Sequence, residues 1–209
     1  MAFCDKCGAY IPIGETACPA CGFDPEEEIR KAKEAEEAEK RRQAEAEARR
    51  KAAEEAEAAR KKAEAEAEAR RKARAVWEKH PGNVVLGADT VVYQDGQVLG
   101  KPRNREDAVR MLHRLSGAWH QVYTGVCVIG KDGAEDVRFD LSRVLFSPLE
   151  EETILRYASS REPMDKAGAY AIQEHGEDII EKIDGSLTNV IGLPVERLKE
   201  TFEYLRKLA

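Results

Sequence analysis

The sequence predicts an α/β sheet domain preceded by one long charged helix and a small cysteine-bearing module. Three observations carry that prediction, and all are shifts in composition along the 209 residues. Residues 1–25 hold four of the five cysteines. Residues 26–75 consist almost wholly of Ala, Glu, Lys and Arg, and residues 76–209 carry nearly all the Val, Leu, Ile, Tyr, Trp and Gly. Charged residues make up 35% of the chain and aromatics 6%, a balance that single globular domains rarely show; the middle zone accounts for it. Length alone suggests one main domain plus something smaller. No apolar run of ~18 residues offers a membrane-spanning helix. The start, Met1 to Lys6, lacks the basic and apolar stretches of a secretory signal. A net charge of −6 argues against a basic nucleic-acid coat. The expectation is a soluble, cytoplasmic protein with no membrane or nucleic-acid partner.

The first zone contains Cys4-Asp5-Lys6-Cys7-Gly8 and Cys18-Pro19-Ala20-Cys21-Gly22, two Cys-x-x-Cys-Gly knuckles separated by ten residues. Two thiolates from each knuckle complete a tetrahedral four-sulfur site, and the glycines admit the backbone of each turn. In a reducing compartment the pattern favours metal over disulfide. So few residues bury too little surface to fold alone, so bound zinc would supply the folding energy. Residues 3–23 resemble the short zinc ribbons found at bacterial N-termini. Cys4, Cys7, Cys18 and Cys21 are therefore expected to hold a structural zinc, and the ribbon to meet a protein partner. Cys127 lies among Val and Ile and reads as core.

Residues 26–75 contain the strongest helix formers and neither Gly nor Pro. Glu precedes a cation by four at Glu36–Lys40, Glu37–Arg41, Glu45–Arg49, Glu57–Lys61 and Glu66–Arg70, each pair worth roughly 0.2–0.5 kcal/mol. Ala stands where a coiled coil would place Leu or Ile. A self-supporting single helix is therefore the first reading and an Ala-rich coiled coil the second.

From residue 76 onward, strand and helix patterns alternate. Asn83–Val92 is β-rich and is followed by the turn signal Gln94-Asp95-Gly96-Gln97. Arg105–Leu115 has helical spacing. His120–Ile129 and Glu135–Phe146 read as strands joined at Lys131-Asp132-Gly133, Pro148–Ser159 starts a helix, and Pro194–Leu208 is the closing one. Such alternation predicts an α/β or α+β sheet domain of about 130 residues, enough for a real core.

Polar residues at the strand ends suit phosphate chemistry. Asp89 follows Val84-Val85-Leu86-Gly87-Ala88, and Lys101 follows Val98-Leu99-Gly100. A two- or three-residue turn sets Lys101 opposite Thr90 or Asp89, which brings an ammonium near a carboxylate. Asp165-Lys166 precede Ala167-Gly168-Ala169-Tyr170. Carboxylates hold a hard divalent ion or activate water, and lysines neutralise phosphate oxygens.

Several of these motifs stand together in order and spacing. They are Gly87-Ala88-Asp89-Thr90-Val91-Val92, Leu99-Gly100-Lys101-Pro102 and Leu115-Ser116-Gly117 with His120 and Tyr123-Thr124-Gly125. Asp165-Lys166-Ala167-Gly168-Ala169-Tyr170 with Ile172-Gln173 follow, then Gly185-Ser186, Asn189-Val190 and Gly192-Leu193-Pro194. Over residues 72–209 they resemble the Maf family. The resemblance implies a nucleoside triphosphate pyrophosphatase that cleaves between the α- and β-phosphates with a divalent metal, Mg or Mn. It also implies the mixed-sheet α/β fold shared with the inosine-triphosphate pyrophosphatases.

Carried over by position, the resemblance makes Asp89 the proton acceptor. Thr90 and Gln173 match positions that mark the dTTP/UTP-cleaving subfamily. Lys72, Lys101 and Lys166 match substrate-pocket lysines, and Asp165 stands where it can share the metal. The family's opening strand and Ser-x-Ser-Pro-Arg-Arg loop have no counterpart: no Ser-Pro-Arg occurs in the chain. The layout predicted is a zinc ribbon at 1–25, a charged helix at 26–75 and a truncated Maf-like domain at 76–209. Arg70, Arg71 and Arg74 are candidates to restore part of the lost positive charge. Two functions follow: a pyrophosphatase of reduced activity, or a nucleotide-binding scaffold module tethered to a zinc-ribbon adaptor. Either is compatible with a homodimer.

Overall fold

The computed structural model describes residues 2–160, 162–173 and 176–208. The chain divides into two compact units, the first ending at Ala56 and the second starting at Glu57.

In the first unit, strands β1 (Ala2–Phe3) and β2 (Tyr10–Ile11) pair antiparallel, with Ala2 opposite Ile11 and Phe3 opposite Tyr10. Its small interior consists of Cys4, Ile11 and Cys18, with Ala9 and Phe23 against them. Helix α1 (Pro25–Trp77) begins where chemistry says a helix should. Asp24 Oδ1 accepts the Glu26 amide at 2.9 Å, Pro25 occupies the first turn, and Glu26, Glu27 and Glu28 face the positive end of the helix dipole. Exposed i,i+4 pairs such as Lys40–Glu36 at 2.6 Å line this part of the helix. Each is worth little alone.

The second unit is a five-stranded sheet with helices on both faces. Its strands are β3 (Val85–Gln94), β4 (Gln97–Leu99), β5 (Trp119–Ile129), β6 (Glu135–Phe146) and β7 (Ile180–Asp184), in the order β4-β3-β5-β6-β7. Every neighbouring pair is antiparallel, which short hairpin turns permit. Asp95 and Gly96 both have positive φ, 43° and 81°, the two-residue hairpin turn that suits strand twist. Helix α2 (Arg105–Leu115) starts at Asn104, whose side chain accepts the Asp107 amide at 2.8 Å. Helices α3 (Glu151–Ala158), α4 (Gly176–Ile179), α5 (Leu187–Ile191) and α6 (Val195–Leu208) complete the unit. Among the described residues no helix is long and apolar enough to cross a membrane.

Side-chain alternation divides the sheet into two faces. Val92, Val122, Val144 and Phe146 turn toward α2 and α3 and build the main core with Leu112, Leu115, Ile154 and Tyr157. Val85, Val91, Tyr123, Cys127 and Ile129 turn the other way, onto α1. Burial pushes the Cys127 thiol up to about 11, as befits a core residue.

The part of α1 from Glu57 onward is integral to this unit. Ala65, Ala69 and Ala73, four residues apart, are all but fully buried against glycines of the sheet. A Cβ on Gly87 would come within 2.6 Å of the Ala69 carbonyl oxygen and 2.8 Å of the Ala73 nitrogen. A Cβ on Gly125 would run into the Ala65 carbonyl. Helix backbone and strand backbone thus meet directly. Trp77 closes the helix, its Nε1 donating to the Gly130 carbonyl at 3.0 Å.

Gly125→Ala should therefore destabilise the second unit by on the order of 3 kcal/mol, since the obstacle is backbone and cannot swing aside. At Gly100 a Cβ would meet nothing within 4 Å, so Ala should be accepted there within about 0.5 kcal/mol. Urea unfolding of the two variants checks this; equal midpoints would contradict the close packing.

Candidate active site

Asp89 sits mid-strand in β3, on the face that meets α1. Its Oδ1 accepts the Lys72 ammonium at 2.5 Å. The placement follows from the helix packing: with Ala69 and Ala73 seated on Gly87, Lys72 in the same turn lies beside the residue two further along the strand. The carboxylate is only 20% exposed, and Lys72 45%.

Thr90, the next residue, turns to the opposite face. Its Oγ1 lies 3.0 Å from that of Thr124, directly across the β3–β5 ladder. Thr124 donates to the Asn189 carbonyl at 3.1 Å. Asn189 is fully buried and donates through Nδ2 to the Val122 carbonyl at 3.0 Å and to Ser142 Oγ at 2.9 Å.

Lys101 follows β4 after one residue, Gly100. Hairpin pairing stops at Val92–Leu99, and that register, continued, sets Lys101 opposite Thr90, one of the two arrangements the sequence allows. The charges pair differently from the sequence expectation, however. The ammonium on Asp89 belongs to Lys72, whereas Lys101 acts on Asp165. A hydrogen bond from Lys166 at 2.8 Å holds the Asp165 carboxyl below the usual range, and the Lys101 charge adds to it. The Gly168 amide, donating to the Gly100 carbonyl at 3.1 Å, ties the two segments together. Gly168 and Ala169 are both left-handed, φ 74° and 59°, and Ala169 is one of the few residues here to bear that strain without being glycine. Gln173 is exposed beyond Tyr170.

Behind this turn lies a buried pair that sequence reasoning did not single out for a role. His120 Nε2 and the Tyr170 hydroxyl are 2.8 Å apart, and Phe146 packs edge-on against both rings. Burial lowers the His120 pKa to about 4, so the imidazole is neutral. The sequence signal was the place of both residues among the motifs of the Maf resemblance, with no role attached to either.

Three arginines expected to add positive charge are already engaged. Arg70 and Arg74 reach Glu135 at 3.1 and 2.9 Å. Arg71 pairs bidentately with Glu68, Nε to Oε2 at 2.7 Å and Nη2 to Oε1 at 2.5 Å. The expected Glu66–Arg70 pair gives way to the one with Glu135.

In the first unit, the sulfurs of Cys4, Cys7, Cys18 and Cys21 lie within 4.8 Å of one another. Cys4–Cys21 and Cys7–Cys18 are each 3.6 Å apart, near the ~3.8 Å edge of a tetrahedron with ~2.3 Å metal–sulfur bonds. The knuckles repeat one backbone pattern. Gly8 donates to the Cys4 carbonyl and Gly22 to the Cys18 carbonyl, each at 2.8 Å, with φ of 74° and 72°.

A profile for Maf-like proteins matches residues 24–206, a span that includes α1. Curated relatives share substantial identity. A dTTP/UTP pyrophosphatase of Caldicellulosiruptor bescii is 49% identical over 124 residues, covering 58% of this chain and 61% of the relative. Those of Aquifex aeolicus and Acholeplasma laidlawii are 42% and 46% identical, each over 65% of this chain and over 70% and 72% of their own lengths. The chain spans about three fifths of the first of these.

The buried His120 gives the fold a pH dependence of definite sign. Its folded pKa lies below the unfolded value of ~6.5, so its neutral form stabilises the fold above that pH, and the contribution is lost as pH falls from ~6.5 toward 4. The full loss is on the order of 3 kcal/mol. His120→Gln keeps a partner for Tyr170 but cannot titrate, and should flatten the stability profile between pH 6.5 and 4.5. An unchanged slope would contradict the assignment.

Proposed function

The chain belongs to the Maf family, and from that premise we propose that it is a nucleoside triphosphate pyrophosphatase acting on dTTP and UTP, with reduced activity. The observation that carries the reading is the Lys72–Asp89 pair: a carboxylate held by an ammonium at 2.5 Å, on a strand whose sequence is the family's Gly87-Ala88-Asp89-Thr90 motif. The dTTP/UTP pyrophosphatases among its relatives supply the substrate class.

In this mechanism Asp89 orients a water and takes its proton. Oδ1 is occupied by Lys72, which leaves the other oxygen for the water. The oxygen of that water forms a bond to the α-phosphorus as the bond to the bridging oxygen of pyrophosphate breaks in line, and nucleoside monophosphate and pyrophosphate result. Lys101 and Lys166 neutralise the charge that develops on the departing pyrophosphate. Gln173, with both a donor and an acceptor, suits the edge of a pyrimidine ring.

Among the described residues the cysteines form the only cluster of three or more metal-ligating side chains. The acidic residues fit Mg²⁺ or Mn²⁺ in one particular way: such ions bind one or two carboxylates and take their remaining oxygens from phosphates and water. Asp165 would hold it as its one carboxylate ligand. When bound it neutralises phosphate oxygens.

Reduced activity follows from the absent Ser-x-Ser-Pro-Arg-Arg loop, since each lost charged donor costs on the order of 2–4 kcal/mol of transition-state stabilisation. Arg70, Arg71 and Arg74 are committed to Glu135 and Glu68, which argues against their replacing it. The same observation favours the second reading, a Maf-like nucleotide-binding module tethered to a zinc-ribbon adaptor that meets a protein partner. The four cysteines hold structural zinc, and the protein works in the cytoplasm.

Pyrophosphate release from dTTP, UTP, CTP, ATP and GTP with Mg²⁺ tests the enzyme reading. The expected result is slow turnover of dTTP and UTP that Asp89→Asn abolishes. Binding of dTTP without any release would favour the scaffold. Metal analysis of reduced protein should find about one equivalent of zinc, and Cys4→Ser should unfold the ribbon while the second unit melts unchanged. Two disulfides and no metal in the wild-type chain would overturn the zinc assignment.

A further inference from the structure

The hydrogen bonds behind Thr90 fix which way its hydroxyl proton points. Thr124 has a single proton, and the side chain is wholly buried, so no water can take part. Its Oγ1 lies 3.1 Å from the Asn189 carbonyl and 3.0 Å from Thr90 Oγ1. A carbonyl can only accept, so the Thr124 proton goes to Asn189. Thr90 must then donate to Thr124. The reverse arrangement sacrifices one of the two bonds and leaves two oxygen lone pairs facing each other at 3.1 Å, in a buried setting where that is costly.

The acceptor at the end of the chain does not move. Asn189 is anchored by its side chain to the Val122 carbonyl and Ser142 Oγ. Its carbonyl also receives the Gly192 amide at 2.9 Å. Gly192 backs onto the Thr90 hydroxyl, so that a Cβ there would lie 3.2 Å from Oγ1. The Gly192 amide is thus already used.

We infer that Thr124 and Asn189 are positioning residues that lock the half-buried Thr90 hydroxyl as a hydrogen-bond acceptor, and that this polarity selects a nucleobase offering a ring N–H. Thymine and uracil present N3–H between two carbonyl oxygens; cytosine presents a bare N3 lone pair at the same place. An acceptor fixed by the fold bonds to the first two and repels the third. This rests on the proposed action on dTTP and UTP, and it takes Thr90, which with Gln173 matches a position that marks the dTTP/UTP-cleaving subfamily, to touch the base.

The test uses nucleoside monophosphates, which the enzyme cannot turn over, and reads binding by calorimetry on the full chain. Wild type should bind UMP roughly tenfold more tightly than CMP, one hydrogen bond's worth of discrimination. It should reject N3-methyl-UMP, in which a methyl group replaces that proton, as strongly as CMP. Thr124→Val, nearly the same shape, frees the Thr90 proton and should bring UMP and CMP within about twofold to threefold, while Thr124→Ser keeps the preference. Equal binding of UMP and N3-methyl-UMP by wild type would overturn the inference and leave the nucleotide site standing. So would an unchanged preference in a folded Thr124→Val. Binding of none of the three would overturn the site itself, and the inference with it.

Discussion

The second unit depends on direct contact between the backbone of α1 and the backbone of the sheet. Gly87 and Gly125 have no room for a side chain because Ala65, Ala69 and Ala73 occupy it. Small residues on both sides let the two surfaces approach more closely than large side chains would allow. That approach fixes the helix along its axis and about it. Once Ala69 and Ala73 are seated, Lys72 reaches Asp89, Arg70 and Arg74 reach Glu135, and Trp77 reaches the Gly130 carbonyl. The ion pairs decorate a position that the alanines and glycines have already set. Being partly exposed, they add less than the packing does.

The same constraint explains how a highly charged helix becomes part of a folded domain. Ala is both the best helix former and the smallest side chain that can line a buried stripe. Large apolar residues are unnecessary where the partner is glycine. Lys61 continues the stripe one turn earlier. It is almost fully buried, pairs with Glu64 at 3.2 Å and lies 5.8 Å from the centre of the Tyr93 ring.

Much of the sheet domain was legible because its boundaries carry strong local signals. Helix α2 spans the residues that its apolar spacing marks out, and β6 spans those that Gly133 and its β-rich run mark out. Helix α3 starts three residues later than Pro148 suggested. The stripe of α1 was silent, because a buried Ala and an exposed Ala look alike in a sequence. Composition divides the chain near residue 75, whereas the packing places the start of the second unit at Glu57. The site was legible as a set of residues and not as a set of partners. Asp89 and Lys101 were visible at their strands, but strand alternation sends Asp89 toward α1 and Lys72. Gly168 ties Lys101 to Asp165. The roles of Thr124, Ser142 and Asn189 in joining strands to α5 were hidden, since each hydrogen bond joins residues 34 to 67 positions apart.

Amide hydrogen exchange along α1 tests most directly whether its later turns belong to the domain that holds Asp89. Buried, packed helix opens only with its surroundings, whereas a solvated helix frays on its own. Amides from Ala65 to Ala73 are expected to exchange as slowly as those of β3 and β5, and those from Glu34 to Arg50 orders of magnitude faster. Uniformly fast exchange along the whole helix would contradict the packing of α1 against the sheet.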